Sequence, residues 1–353
     1  MAGASKQRVA LIGLGMAVTP HASALRDLSD RVEVVHAYSP TAARREAFGR
    51  NFAFPLTERF ETILDDRSVE AVLILTPPNT HLDIAGRCAE AGKHILLEKP
   101  IEISTARAEA LVAMTRAVGV RLGIVFQNRF RPASLALKAI LDEGRLGRLV
   151  GVSACINNWR PQSYYDQPGR GTRARDGGGV LLTQAIHTLD LMLSFAGAPQ
   201  QVVGFATTSP IHRMETEDIA AAAIRYASGA VGTVSATTCA YPGFPERVEL
   251  VGEAGVAILD GTVLKVVFHS GEVLDVGDRA GGGGTGADPM AFPHAYHQAL
   301  ITDFLDAVSD DRDPRISGEE ALKVHHFIDA LLASNGGLAV PASVSNRGRG
   351  DNP

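Results

Sequence analysis

Two residues in this 353-residue sequence are well placed for proton and charge chemistry, a lysine and a histidine 88 positions apart. The lysine closes the run His94-Ile95-Leu96-Leu97-Glu98-Lys99-Pro100. Its apolar part reads as a buried parallel strand, and Pro100 stops it. Ligands of open α/β sheets sit outside the carboxyl ends of the strands, so a rigid element presents Lys99 at a site mouth. An ammonium there can stabilise negative charge developing on a substrate oxygen, although a solvated surface lysine fits the same position. The histidine belongs to a second group. Thr183, His187 and Asp190 stand at i, i+4 and i+7, on one face of a helix. Histidine accepts a proton near neutral pH. Oxidation of a secondary alcohol needs such a base, because the oxygen loses a proton as the carbon loses hydride. A core histidine beside an aspartate fits the spacing equally well.

A nucleotide-binding signature lies upstream of both. The strand-length run Arg8–Gly13 leads into Gly13-Leu14-Gly15-Met16-Ala17-Val18. Its first two glycines suit a tight turn and a close backbone approach to a pyrophosphate at a helix N-terminus. Val18 replaces the third glycine, which predicts altered helix packing or a helix that starts later, near Thr19-Pro20. The end of the next strand lacks the acid that would accept the ribose hydroxyls of NAD. Ser39 stands there, with Arg44 and Arg45 one turn on. A hydroxyl and a forked guanidinium suit a ribose phosphate, so NADP is favoured over NAD as the cofactor.

The elements that hold these residues fall into two patterns. Strands at Arg8–Gly13, Val32–Tyr38, Ala71–Leu75, Ile95–Glu98 and Arg121–Phe126 alternate with helices at Ala42–Gly49, Glu58–Asp65, Leu82–Ala91 and Thr105–Ala117. That alternation predicts an α/β fold, a doubly wound parallel sheet of Rossmann type over residues 1–127. From Leu149 to Val276 eight β-rich runs follow, several separated by turn pairs such as Ser228-Gly229 and Ser270-Gly271. They predict a large, mostly antiparallel open sheet in a C-terminal α+β domain over residues 128–340. The helical patterns Tyr296–Val308 and Gly318–Ser334 should return to the first domain. Gly281–Gly284 and Gly286 read as a flexible lid or linker, and the polar tail, residues 341–353, as disordered.

In this order, several segments resemble the Gfo/Idh/MocA family of NAD(P)-dependent oxidoreductases. They are Glu98-Lys99-Pro100, Thr76-Pro77-Pro78-Asn79-Thr80-His81, Gln127 through Pro132, Gly144 through Gly147, and Gly177-Gly178-Gly179 through His187 and Asp190. The resemblance runs from about residue 8 to about residue 335. It implies a dehydrogenase or reductase acting on a sugar, a cyclitol or a sugar acid. Lys99 and His187, with Thr183 and Asp190, would be the catalytic group. Gly13, Gly15, Met16, Ser39 and Arg44 would hold the phosphate half of the cofactor. Thr76, Pro77, Pro78, Asn79, His81, Glu98, Lys99 and Gln127 would hold its nicotinamide half. The family often has an aspartate where this chain has Thr183, which leaves His187 oriented by Asp190 or a water, or less basic than in relatives. Two further classes within reach of the same resemblance are glycoside cleavage by transient oxidation and a non-catalytic nucleotide sensor. The resemblance also implies a homodimer or homotetramer through the C-terminal sheet.

The segment Trp159–Arg175 mixes aromatics with arginines, which suits a polyhydroxylated ligand. Arg129, Trp159, Tyr165 and Arg170, with Thr183 and His187, are the substrate-facing candidates. Arg170, Arg173 and Arg175 together suit a carboxylate or phosphate, or else a solvated loop.

Composition narrows the partners. Net charge is −5 with no basic stripe, which argues against nucleic acid. No apolar run is long enough for a membrane span, and no leader pattern opens the chain. Cys88, Cys155 and Cys239 are scattered without metal spacing, as in a reduced, cytoplasmic protein. His294 and His297 have helical spacing but no evident third ligand, so no metal is expected.

Overall fold

The computed structural model describes residues 6–277, 293–335 and 340–341. The glycine-rich stretch at Gly281–Gly286 and residues 342–353 lie outside the described residues; Pro341, expected in the disordered tail, instead pairs with Gln201 at the end of a strand.

The first sheet has six parallel strands: β1 (Gln7–Ile12), β2 (Val32–Tyr38), β3 (Leu56–Thr57), β4 (Ala71–Ile74), β5 (His94–Leu97) and β6 (Leu122–Ile124). Their order is β3-β2-β1-β4-β5-β6. The order reverses between β1 and β4, so the crevice at their carboxyl ends is a topological switch point. All four residues of β4 are buried, and so are Ile95, Leu96 and Leu97 of β5. These strands show no alternation because helices cover both faces. The helix after β1 spans Val18–Asp27, one residue ahead of the late start expected near Thr19-Pro20. Val18 is buried at its first position, and Pro20 sits in the first turn, where its missing N–H has no intrahelical partner to lose. The helix expected over Glu58–Asp65 occupies Glu61–Asp65, because Leu56–Thr57 extend as β3 beside β2 and the chain turns before it winds.

The second sheet has nine strands: β7 (Leu149–Asn157), β8 (Pro199–Thr207), β9 (Ile219–Tyr226), β10 (Val231–Thr237), β11 (Arg247–Gly252), β12 (Gly255–Asp260), β13 (Val263–Phe268), β14 (Val273–Val276) and β15 (Val340–Pro341). Their order is β14-β13-β12-β11-β7-β10-β9-β8-β15. Every neighbouring pair is antiparallel except β7 and β10. Strict alternation buries Ala220, Ala222, Ile224 and Tyr226 of β9 on one face and leaves their neighbours on the other. The buried face packs against the helices Ile186–Ala196 and Gly318–Ser334.

Late elements tie the halves together. Gln7 Nε2 donates to the Leu305 carbonyl at 3.1 Å in the helix Ala295–Ser309. Ile124 N donates to the Ile316 carbonyl at 3.0 Å, next to β6. Among the described residues no helix is long and apolar enough to cross a membrane, and all three cysteines are free thiols.

Candidate active site

A cavity of about 790 Å³ opens at the carboxyl ends of β1, β4 and β5 and continues under the second sheet. Its first end follows the glycine turn. Gly13 has φ +103°, and a Cβ there would stand 2.9 Å from the Leu75 carbonyl carbon, so only glycine fits. Gly15 faces open space, with nothing within 4 Å of its would-be Cβ. That space is a cradle in which a phosphate can approach the backbone at the start of the helix Val18–Asp27. Met16 lines it as well and is exposed.

Ser39 is buried at the end of β2 and its Oγ accepts the Thr41 N–H at 3.3 Å. Arg44 reaches the same wall from the exposed side of the helix Ala42–Gly49. Arg45 does not, because it donates to the Ser39 carbonyl at 2.8 Å and to Glu58 at 2.9 Å. After β4, Thr76, Pro77, Pro78 and Thr80 line the cavity. Asn79 points to solvent instead, which corrects its place among the cofactor contacts. His81 is corrected too. It is fully buried, with Nε2 2.9 Å from the Thr76 carbonyl and Nδ1 3.1 Å from those of Pro100 and Ile101. The ring clamps the turn after β4 to the turn after β5, and burial lowers its pKa despite those carbonyls.

Glu98 and Lys99 leave β5 into the cavity. Glu98 Oε1 pairs with His21 Nε2 at 2.7 Å, and Oε2 accepts the Lys99 N–H at 3.1 Å. Burial alone would raise the Glu98 pKa, but His21 and Lys99 hold it below the usual range. His297 packs edge-on to His21 at 4.8 Å between centroids. The third group that sequence spacing did not reveal beside His297 is therefore present. The ligand atoms of His21, Glu98 and His297 lie within 4.8 Å of one another, while His294 turns away to Asp27. The His21 to Glu98 hydrogen bond gives the trio a plain role, a buried prop for the carboxylate next to Lys99. Lys99 Nζ donates to the Thr183 carbonyl at 2.9 Å. Burial, opposed by Glu98 and reinforced by Arg170 and Arg160, pulls its pKa down to about 8.

Thr183 and His187 reach the cavity from the other half of the chain. Gly179 packs so closely on Glu217 that a Cβ would fall 1.8 Å from the Glu217 carbonyl oxygen. The Glu217 carboxylate accepts the N–H groups of Gly179 and Leu181, which caps the start of the helix. Residues Leu181–Ala185 then wind as one π turn before the helix Ile186–Ala196. Sequence periodicity assumes a regular helix and does not register this widened turn, a feature frequent at functional sites. Lys99 donates into it. The Thr183 hydroxyl is spent on the Gly179 carbonyl at 2.7 Å. His187 stacks edge-on to Phe126 at 5.8 Å between centroids, and its Nδ1 is buried with no hydrogen-bond partner. Burial first, then the charges of Lys99 and Arg131, hold its pKa well below the ordinary imidazole range.

Asp190 does not join this face. It is buried, and both its oxygens are bound by Arg129, at 2.7 Å from Nε and 2.6 Å from Nη2. A buried carboxylate needs such a partner. The pairing removes Asp190 from the catalytic candidates and Arg129 from the substrate candidates, since neither lines the cavity.

The wall beyond β7 is also redrawn. The inward alternation of Ile156 continues past the strand, so Asn158 and Arg160 line the cavity while Trp159 faces away and packs on Tyr241. Tyr165 is buried with its hydroxyl on Thr238 Oγ1 at 2.9 Å, and Tyr164 takes the cavity side. Trp159 and Tyr165 therefore support the wall from behind. Gln184 accepts from Arg160 at 2.8 Å and approaches the Tyr164 hydroxyl at 3.3 Å. Arg170 and Arg175 line the cavity, and Arg173 is exposed.

A nicotinamide dinucleotide fits this donor set. The Gly15 cradle suits its pyrophosphate. Gln127 Oε1 lines the cavity, buried and without a partner, an acceptor suited to a carboxamide N–H.

Comparison with known proteins agrees with this geometry. Residues 7–126 match the family model of the oxidoreductase family with an NAD-binding Rossmann fold. Residues 134–258 match the model of the GFO/IDH/MocA C-terminal domain. The chain is 28% identical over 357 residues to the scyllo-inositol 2-dehydrogenase (NAD(+)) of Bacillus subtilis, covering 96% of this chain and 94% of that protein. It is 26% identical over 328 residues to the myo-inositol 2-dehydrogenase of Thermotoga maritima, covering 89% and 91%. Among solved structures it is similar to the WlbA dehydrogenase from Bordetella pertussis in complex with NADH and UDP-GlcNAcA. The TM-score is 0.82 at 26% identity, over 97% of this chain and 100% of that one.

Proposed function

The chain belongs to the Gfo/Idh/MocA family of NAD-binding oxidoreductases, and on that footing we propose that it oxidises a secondary alcohol of a polyhydroxylated compound, or reduces the matching ketone. The substrate class is a sugar, a cyclitol or a sugar acid. Inositol dehydrogenases among the relatives support it. The observation that carries the reading is that Lys99 and His187, from the two halves of the chain, line one cavity with the Gly15 cradle. The nicotinamide, when bound, supplies the hydride acceptor or donor. Gly13, Gly15, Met16, Ser39 and Arg44 would hold its phosphates and ribose, and Thr76, Pro77, Pro78, Glu98 and Gln127 its other half. Lys99 would donate a hydrogen bond to the substrate oxygen and stabilise charge there. His187, neutral, would accept the hydroxyl proton. Thr183 would contribute through its carbonyl, which holds the Lys99 ammonium. The test is reduced-nicotinamide absorbance after mixing the protein with each cofactor and a polyol panel.

We keep the domain division at residues 127 and 128, and we read the enzyme as a cytoplasmic homo-oligomer. The outer face of the second sheet supports the assembly. Phe205 is 68% exposed and Val231 62%, beside small residues at Ala221, Ala223 and Gly151. Burying such a face is favourable at about 25 cal/mol per Å².

The cofactor is NADP in preference to NAD, because Ser39 leaves no carboxylate to repel a ribose phosphate and Arg44 stands at the same wall. Ser39→Asp should reverse the preference, weakening NADP about tenfold or more. Titrating both cofactors against the fluorescence of Trp159, the single tryptophan, measures it. Tighter NAD binding by the unmodified protein contradicts the assignment.

A further inference from the structure

Nine charged side chains line the cavity, six cationic (Arg44, Lys99, Arg131, Arg160, Arg170 and Arg175) and three acidic (Glu98, Asp176 and Glu246). This excess stands in a chain whose net charge is −5. Arg44 faces the cofactor end, and Arg131 is paired with Glu246. Lys99 lies beside Glu98. Of the remaining cations, Arg160 donates to the Trp159 carbonyl at 2.7 Å and to Gln184 at 2.8 Å, and Arg170 has Asp176 as its ion-pair partner.

Arg170 is the least satisfied of them. Its side chain is 20% exposed, and its Nε is buried with no hydrogen-bond partner. Its ion-pair partner, Asp176 Oδ1, stands 3.8 Å away, beyond hydrogen-bond reach. Asp176 spends its other oxygen on the Gly171 N–H at 2.9 Å. The guanidinium lies over the Tyr164 ring at 5.0 Å, which orients its edge rather than neutralising it. Arg175 donates to the Pro168 carbonyl at 3.1 Å, a neutral acceptor that leaves its charge uncompensated. Lys99 feels the same field, because Arg170 and Arg160 help to lower its pKa. A half-buried guanidinium with an open fork is costly unless an anion completes it.

We propose that the substrate carries an anionic group, a carboxylate or a phosphate, that docks on Arg170 and Arg175 while its alcohol carbon lies toward Lys99 and His187. This narrows the dehydrogenase reading to the anionic members of the polyhydroxylated class and rests on that reading. Tyr164 forms the floor under the anion's carbon skeleton, and the charge of the wall rejects cationic or neutral analogues by default of a partner.

The test uses the full chain loaded with cofactor and matched probes: glucose, glucuronate, glucose 6-phosphate, galactose and galacturonate. Expected is a kcat/KM for an anionic probe about tenfold or more above its neutral partner, the range of one charge-assisted hydrogen bond. The carboxylate and phosphate arms tell which anion is used. Arg170→Gln should bring the ratio close to one, and Arg170→Lys should restore part of it, since charge returns without the fork. Retained cofactor affinity in each variant serves as the check on folding. Equal or better turnover of the neutral partners, or an unchanged ratio in Arg170→Gln, overturns the proposal and leaves the dehydrogenase reading standing. Binding of the same probes, followed by quenching of bound reduced cofactor, covers the case of no turnover. Anion binding lost in Arg170→Gln then upholds the anion site and sinks the dehydrogenase reading, and no binding sinks both.

Discussion

Lys99→Ala lowers turnover by on the order of a hundredfold or more, the loss of about 3 kcal/mol of charge stabilisation at the substrate oxygen. Lys99 stands where it does for two reasons. The apolar strand β5 ends at the cavity, and the Thr183 carbonyl fixes Nζ at 2.9 Å. The ammonium is pre-positioned before substrate arrives, so little reorganisation accompanies the reaction. Lys99→Arg does not fully rescue, because a planar fork cannot take the place of a compact ammonium held by one carbonyl. Its pKa near 8 adds a signature in pH. For alcohol oxidation, kcat/KM falls as pH rises through that value, because the protonated form is the one that stabilises the oxygen. The falling limb vanishes in Lys99→Ala. A steady-state pH series on both proteins measures it.

His187→Ala removes the base and, with it, the acid limb of the profile. The sign follows from the burial of the ring. Burial, Lys99 and Arg131 all disfavour the imidazolium, so His187 is neutral down to pH values well below the ordinary imidazole range. The rising limb of alcohol oxidation therefore lies on the acid side of the usual histidine value, and activity is level from there up to the lysine limb. Sequence reasoning offers Asp190 as one group that could orient His187. The Arg129 to Asp190 ion pair removes that partner. Thr183→Asp should move the rising limb to higher pH, since a carboxylate next to His187 stabilises its charged form. If His187→Ala keeps both the limb and most of the rate, the proton leaves by another route.

The strands and the glycine turn were legible because their signals are local. Apolar runs such as Ala71–Leu75 and turn residues such as Gly13 carry their meaning within a few positions. Asn158 and Arg160 were also within reach, since period-two alternation from Val152, Ala154 and Ile156 carries on through them. The same alternation turns Trp159, an aromatic whose composition alone suits a ligand, to the opposite face. Tyr164 and Tyr165 differ only in which way a short helix, Gln162–Tyr165, turns them, a choice made by Thr238, which is 73 positions from Tyr165. The Arg129 to Asp190 pair and the His21, Glu98 and His297 cluster join residues from distant segments, and no pattern along the chain announces them. His81 had the right motif and the wrong role: two of its three carbonyl neighbours, those of Pro100 and Ile101, reach it only through the folded turn after β5. The π turn at Leu181–Ala185 lies beyond any reading that assumes 3.6 residues per turn.

The most direct test of the account is stoichiometric. The full chain is mixed with NADP or NAD and a polyhydroxylated substrate that it turns over, and reduced cofactor and oxidised product are both counted. The account predicts one reduced nicotinamide for each ketone formed, with both falling together in Lys99→Ala and His187→Ala. Cleavage of a glycosidic bond with no net reduced cofactor, or cofactor binding with no product from any polyol, sugar or sugar acid, would contradict it.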